Sequence, residues 1–267
     1  MNLFDAARSV LDAAGVEDKP ARSREFAAAF RRGELDIPDD AAPAQPIAMP
    51  GRPETPKLVH PRDLPRRGFG TPDGRAAFIH AIAHIEFNAI DLAWDAVYRF
   101  RGLPRGYYAD WVQVGDDEAR HFALLRARLR DFGHDYGDFD AHNGLWEMAR
   151  KTAHDGLARM ALVPRVLEAR GLDVTPAMIT KLRALGDAET VDILEVILRE
   201  EVAHVAAGSR WYRWFCDQAG VEPRSRFHAL LREHATGVLR RPFNREARLQ
   251  AGFDADELDV LESQAAD

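Results

Sequence analysis

From residue 72 onward, apolar residues recur every three or four positions over stretches much longer than a strand. The spacing predicts a first long helix over 73–101, opened by Thr71-Pro72-Asp73 and stopped at Gly102. A second is expected over 106–132, ending before Gly133, and a third over 143–170, ending at Gly171. A short helix near 175–185 and a fourth long one over 187–218, ending before Gly220, complete the series. Strand-like alternation is almost absent. Four long helices with mostly short connections predict an all-α fold, a four-helix bundle spanning 71–220.

The flanks read differently. Two short amphipathic helices are expected around 2–14 and 20–33. Prolines then run through 38–72, and because each lacks an amide hydrogen and restricts its predecessor, this arm should be extended and irregular. Its apolar residues Ile47, Met49, Leu58, Val59 and Leu64 suggest that it wraps along a surface. Residues 1–70 thus form N-terminal helices plus a proline-rich arm. Residues 221–267 form a helical extension, with a helix around 223–239, an "RRPFN" turn and a short terminal helix near 254–263.

The apolar stripes of the long helices carry charged interruptions. "DDEARHFALL" places Glu118 and His121 three positions apart among Trp111, Val114, Gly115, Phe122, Leu125 and Leu129. "ILREEVAHVAAGSRWY" does the same with Glu201 and His204 among Leu194, Ile197, Leu198, Val205 and Gly208. Glu86 lies on the stripe Ile79, Ile82, Ala83, Ile90, Ala93 and Val97. Glu168 shares a face with Leu157, Ala161 and Leu172, although Pro164 and Arg165 sit where apolar neighbours are expected. Glu86 and Glu118 are 32 positions apart and Glu168 and Glu201 are 33 apart. The pattern is a duplicated helical hairpin, each half giving one glutamate and one Glu-x-x-His.

A single Glu-x-x-His is ordinarily a solvated face or a local ion pair. Two at mirrored spacing, each on an apolar stripe, point to metal. Four carboxylates in a dry core cannot all stay ionised without cations between them. Oxygen and imidazole ligands suit two iron ions, with manganese or a mixed pair as the other compositions. Glu200 rivals Glu201, but the three-residue spacing favours Glu201. His80 and His84 point away from Glu86 and are read as non-ligands. Asp192 and Glu195 are read as surface charge, with orientation of ligand histidines as the other role weighed. Trp94, Tyr107, Tyr108, Trp111, Trp211, Tyr212 and Trp214 are read as core or interface.

Composition narrows the class. With 46% hydrophobic and 30% charged residues, the 267-residue chain reads as soluble and globular. No run approaches the roughly 18 unbroken apolar residues of a membrane span. Asp5 and Arg8 interrupt the opening stretch where a secretory leader would be continuously apolar. The single Cys216 rules out an intrachain disulfide and fits a reducing compartment, so a cytoplasmic location is expected. A net charge of −7 argues against nucleic acid as a partner. It leaves room for a local basic site, and Arg240, Arg241 and Arg245 in "RRPFNREAR" are candidates for phosphate or carboxylate recognition or for plain surface charge.

The blocks "PGRPETPKLVHPRDLPRRG", "HAIAHIEFNAIDLAWDAVYRF", "DDEARHFALL", "MALVPRVLEARGLDVTP", "ILREEVAHVAAGSRWY" and "RRPFNREARLQAGF" together resemble the ferritin-like family catalogued as domain of unknown function 455. The resemblance runs from about residue 45 to 255. It implies a ferritin-like bundle with metal ligands at Glu86, Glu118, His121, Glu168, Glu201 and His204. It assigns no catalytic or substrate residue. The expected function is a di-iron oxidoreductase that activates dioxygen to hydroxylate or oxidise a small organic substrate, fed by an unidentified electron donor. Alternatives are a ferroxidase or peroxide-detoxifying protein, a tRNA-modifying hydroxylase, and a non-enzymatic metal-binding bundle. A lone cysteine cannot build the Cys-rich iron site that a rubrerythrin-like protein uses.

Overall fold

The structure, a computed structural model, describes residues 1–65, 68–234 and 239–265. Among these the chain is all-helical, with no extended strand. It divides into two compact units, Met1–Arg150 and Lys151–Asp267.

In the first unit α1 (Leu3–Asp12) starts at Asn2, whose side chain accepts from the Asp5 amide, and buries Leu3, Phe4, Val10 and Leu11. α2 (Asp18–Arg31) follows. The described residues of the proline-rich arm are irregular apart from one 3-10 turn at Pro61–Asp63, in keeping with their missing amide hydrogens. It is nevertheless pinned down. The Gly51 amide donates to Leu11, Trp146 Nε1 to the Ala48 carbonyl, and Val59 and Ala141 join the arm to a later loop. Ile47 is buried, whereas Met49 and Leu58 are exposed, so only part of the arm's apolar content faces inward.

α3 (Pro72–Arg99) begins where the sequence places it, with Thr71 Oγ1 capping the Gly74 amide. α4 (Arg105–Asp131) runs back antiparallel after a reversal at Gly102, which has φ +66°. A Cβ at Gly115 would come within 2.7 Å of Trp94 Nε1, so glycine is what lets α3 and α4 approach there. The Trp94 indole donates to Ser23 Oγ at 2.7 Å, and that hydroxyl donates to the Gly115 carbonyl at 2.6 Å, which ties α2 into the hairpin. α5 (Gly144–Lys151) closes this unit.

The third long helix differs from expectation. Instead of one helix over 143–170, the chain breaks after α5. Asp155 then caps a new start by accepting from the Leu157 amide at 2.8 Å. α6 (Gly156–Leu162) widens into a π-helical segment, Val163–Glu168, and continues as α7 (Ala169–Ala184). Pro164 has no amide hydrogen for the regular ladder, and a widened turn accommodates it. Gly171 does not stop the helix, and the short helix expected near 175–185 is the end of α7, running through Pro176.

α8 (Ala188–Ala219) packs antiparallel to this composite helix and ends at Gly220, φ +64°. A Cβ at Gly208 would overlap the Pro164 ring, and one at Gly156 would come within 2.6 Å of Phe215, which fixes the register. α9 (Pro223–His234) starts where expected, and residues 235–238 of the expected 223–239 lie outside the described residues. α10 (Arg245–Gln250) was not expected, and α11 (Ala255–Gln264) was.

The disruption of the Glu168 stripe has a clear cause. Arg165 is fully buried, donates through one terminal nitrogen to both oxygens of Glu257 at 2.9 Å, and sits among Tyr212, Phe227 and Phe253. Arg248 holds Asp173 with two bonds of 2.9 and 2.7 Å. These buried pairs lock the C-terminal helices onto the hairpin.

Candidate metal centre

Glu86 lies in a stretch of α3 in which every residue from Glu86 to Tyr98 is buried. A carboxylate there must be matched by a partner. α4 answers with Glu118 and His121, one turn apart and both buried. His121 Nδ1 lies 3.1 Å from Glu86 Oε2 and 3.6 Å from Glu118 Oε2. The three residues each offer a ligand atom, all within 4.8 Å of one another.

Burial, followed by the charge of Glu118, pushes the Glu86 carboxyl up to about 8. Burial alone would depress the His121 imidazole, but hydrogen bonds to Glu118 and Glu86 outweigh it and raise the group to about 11. At neutral pH the trio therefore holds two protons, one on Glu86 and one making His121 cationic. Those protons stand where a metal ion's charge would serve. A divalent cation takes carboxylates and neutral imidazole, and displaces the protons on binding. The donor set fits a metal.

The second unit repeats the arrangement on α8. His204 Nδ1 lies 3.3 Å from Glu201 Oε1, and both residues are buried. Glu168 ends the π-helical segment half-buried, with Oε2 shielded from solvent. Gly156 packs on Phe215 and Pro164 on Gly208, so Glu168 and His204 each lie four positions beyond the second contact on antiparallel helices. In the first unit, pairing of Trp94 with Gly115 likewise precedes that of Glu86 with His121. By position in the helix pairing, each hairpin thus matches its single glutamate to the histidine of its Glu-x-x-His, and in the first unit the two are in contact.

The other candidates are accounted for locally. His84 holds Tyr136 Oη and the His142 carbonyl, each at 2.9 Å, and His80 Nε2 accepts from the Gly137 amide. Both histidines are buried rather than exposed. Asp192 is exposed, Glu195 pairs with Arg183 at 2.6 Å, and Glu200 lies 3.9 Å from Arg199. The arginines of 240–248 are largely spent inside the second unit. Arg245 pairs with Asp259 and Glu262, and Arg241 donates to the Glu262 carbonyl. The Arg240, Arg241 and Pro242 carbonyls accept from Arg170. Arg241 and Arg245 therefore serve the fold through these contacts. Six of the seven aromatics read as core are buried, and Trp214 is half-buried.

A second polar stripe on α3 was missed. His84, Asn88, Asp91 and Asp95 follow one face at helical spacing and are all buried. Asp91 pairs with the fully buried Lys19, and Asp95 accepts three bonds from Arg99. The signal was available, since four polar residues recur on one face of an otherwise apolar helix.

No helix among the described residues is long and apolar enough to cross a membrane. No solved structure matches the chain. An uncharacterized protein of Haemophilus influenzae is 47% identical over 216 residues, covering 78% of this chain and 75% of that protein. Residues 12–259 match the family described as protein of unknown function (DUF455). On that near end-to-end match, the chain belongs to the DUF455 family.

Proposed function

We propose that the protein is a ferritin-like di-metal oxidoreductase in which Glu86, Glu118, His121, Glu168, Glu201 and His204 hold two iron ions, the bundle being formed by residues 71–220. Manganese or a mixed pair would satisfy the same ligands. The observation that carries this reading is the buried, proton-holding trio of Glu86, Glu118 and His121, echoed by Glu201 and His204 on the equivalent helix. The duplicated spacing and the matching hairpin registers support it. So does the π-helical segment ending on Glu168, since such widened turns concentrate at functional sites.

Bound there, the metal pair would supply electrons to dioxygen for hydroxylation or oxidation of a small organic substrate, with reducing equivalents from an external donor. The protein's part is electrostatic and steric. Glu86 and Glu118 both face Nδ1 of His121, so the ring is oriented toward the two carboxylates before metal arrives. Apolar neighbours such as Phe122 and Leu125 keep water away from the carboxylates. A cytoplasmic setting, argued from the single buried Cys216, belongs to the same reading.

Metal analysis of anaerobically purified protein tests the proposal, followed by absorption spectra on exposure to air. Two irons per chain and an oxygen-dependent spectral change are expected. Less than about 0.2 metal per chain after reconstitution with iron(II) or manganese(II), in protein of native helicity, would remove it.

A further inference from the structure

A cavity of about 290 Å³ lies in the first unit between the proline-rich arm and α3. Arg52, Pro53, Pro56 and Leu58 of the arm line it, together with His84 and Tyr136. Most of its accessible wall is apolar, with polar groups supplied by Arg52, Glu54, Lys57, His84 and Tyr136, which suits a small molecule that has one polar end. His84 and Asn88 are two positions either side of Glu86, nearly opposite it around the helix, so this cavity is separate from the metal ligands.

The charges behind the cavity do not balance. Lys19 and Asp91 are both fully buried and paired with each other. Arg52 is the second cation beside Asp91, but it does not close on that carboxylate. It instead donates from a terminal nitrogen to the neutral Asn88 amide oxygen, at 2.6 Å. Arg52 Nε is buried with no hydrogen-bond partner among the described residues, and so is Asp91 Oδ2. A buried donor left without an acceptor is unfavourable, and more so when it belongs to a charged group. Two cations thus share one carboxylate, and the surplus positive charge lines the cavity. Of the other acids nearby, Asp95 is taken up by Arg99 and Asp12 by Arg8. Glu54 and Lys57, both exposed around the cavity, offset each other.

Both ring nitrogens of His84 are engaged. Its Nε2 faces the His142 carbonyl and therefore carries the ring proton, leaving Nδ1 to accept from the Tyr136 hydroxyl. The Tyr136 oxygen keeps its acceptor capacity, and the two rings present apolar faces.

We propose that this cavity is a binding site for a small organic monocarboxylate, its carboxylate on Arg52 and its apolar body against the prolines, His84 and Tyr136. One negative charge cancels the surplus. The volume excludes large ligands, and the walls disfavour a bare inorganic anion. A guanidinium is the side chain best shaped to take a carboxylate.

The test uses the full chain and isothermal titration calorimetry with acetate, butyrate and benzoate, and with benzamide as the neutral counterpart of benzoate. Saturable binding of butyrate or benzoate, with Kd on the order of 1 mM, is expected, and at least tenfold weaker binding of benzamide. Arg52→Gln should weaken carboxylate binding at least tenfold. Leu58→Trp, at a partly exposed position on the cavity wall, should block it without disturbing the fold. Binding should persist after chelator treatment and in a Glu118→Gln variant, which separates this site from the metal proposal. Absence of saturable binding by all three carboxylates would overturn the proposal. Equal binding of benzamide, or full binding by a folded Arg52→Gln protein, would overturn it too.

Discussion

Replacing Glu86 by glutamine isolates its charge from its shape. Because burial and Glu118 raise this carboxyl to about 8, it is mostly neutral at pH 7 in the metal-free protein. Glutamine is neutral, nearly isosteric and still offers an oxygen to His121 Nδ1. Glu86→Gln should therefore leave the metal-free Tm at pH 7 within about 3 °C of the parent. Bound metal, measured by elemental analysis, should fall to less than half. A Tm loss above 10 °C would show that the carboxylate is needed for folding itself. Arg165 makes the opposite case. It is the buried partner of Glu257, and truncating it strands a carboxylate in the interior. Arg165→Met should cost about 3–5 kcal/mol in urea unfolding, and the paired change Arg165→Met with Glu257→Leu should cost less than the single one. The two residues also mark what the sequence reveals at this scale. Glu86 was legible because a duplicated pattern makes an isolated glutamate meaningful. Arg165 looked like an error in a stripe, since its partner lies 92 positions away and no local periodicity encodes that distance.

At the scale of elements, α3, α4 and α8 match their expected spans to within one or two residues, because long apolar stripes, a Thr-Pro start and glycine stops all agree. The composite helix from Gly156 to Ala184 does not, and its two glycine-related features explain why. The sequence marks Gly171 as a stop, yet it sits inside α7 with nothing within 4 Å of where its Cβ would lie. The packing of α7 on α8 overrides a weak local signal. Gly208 was read as part of a ligand-bearing face, whereas its role is to admit the Pro164 ring. Identical substitutions should therefore act with opposite sign. Gly171→Ala should stabilise by about 0.5–1 kcal/mol through helix propensity and a less flexible unfolded chain. Gly208→Ala should destabilise by about 1–3 kcal/mol, since the added methyl overlaps a proline that cannot rotate away. Chemical denaturation of both variants checks this. Equal effects of the two would mean that the register of the second hairpin is wrong, and with it the level of Glu168.

For the molecule as a whole, proton and metal binding should be two ways of satisfying the same buried charges, and the dependence of stability on pH exposes the exchange. Glu86 and His121 both have raised values when folded, so each stabilises at low pH and loses that contribution as pH rises. The Glu86 window runs from the ordinary 4.5 to about 8. That of His121 runs from 6.5 to about 11. His84 acts in the other direction. Its folded value of about 4 lies below 6.5, so its contribution is complete above 6.5 and is lost as pH falls toward 4. Between 4.5 and 6.5 the Glu86 and His84 slopes oppose each other, one proton against one, and nearly cancel. Above 6.5 the His84 contribution is complete, and Glu86 and His121 decline together up to about 8, with His121 continuing beyond. The metal-free protein should therefore show a plateau in Tm up to about pH 6.5 and a steady fall from there to pH 9. Metal at the trio removes both protons, so the loaded protein should lose the alkaline decline, and the gap between the two curves should widen with pH. Calorimetry of chelator-treated and anaerobically iron(II)-loaded samples from pH 5 to 9 measures that gap. Parallel curves would place any bound metal away from Glu86 and His121. A metal-free curve without the alkaline fall would mean that the folded trio does not hold its protons.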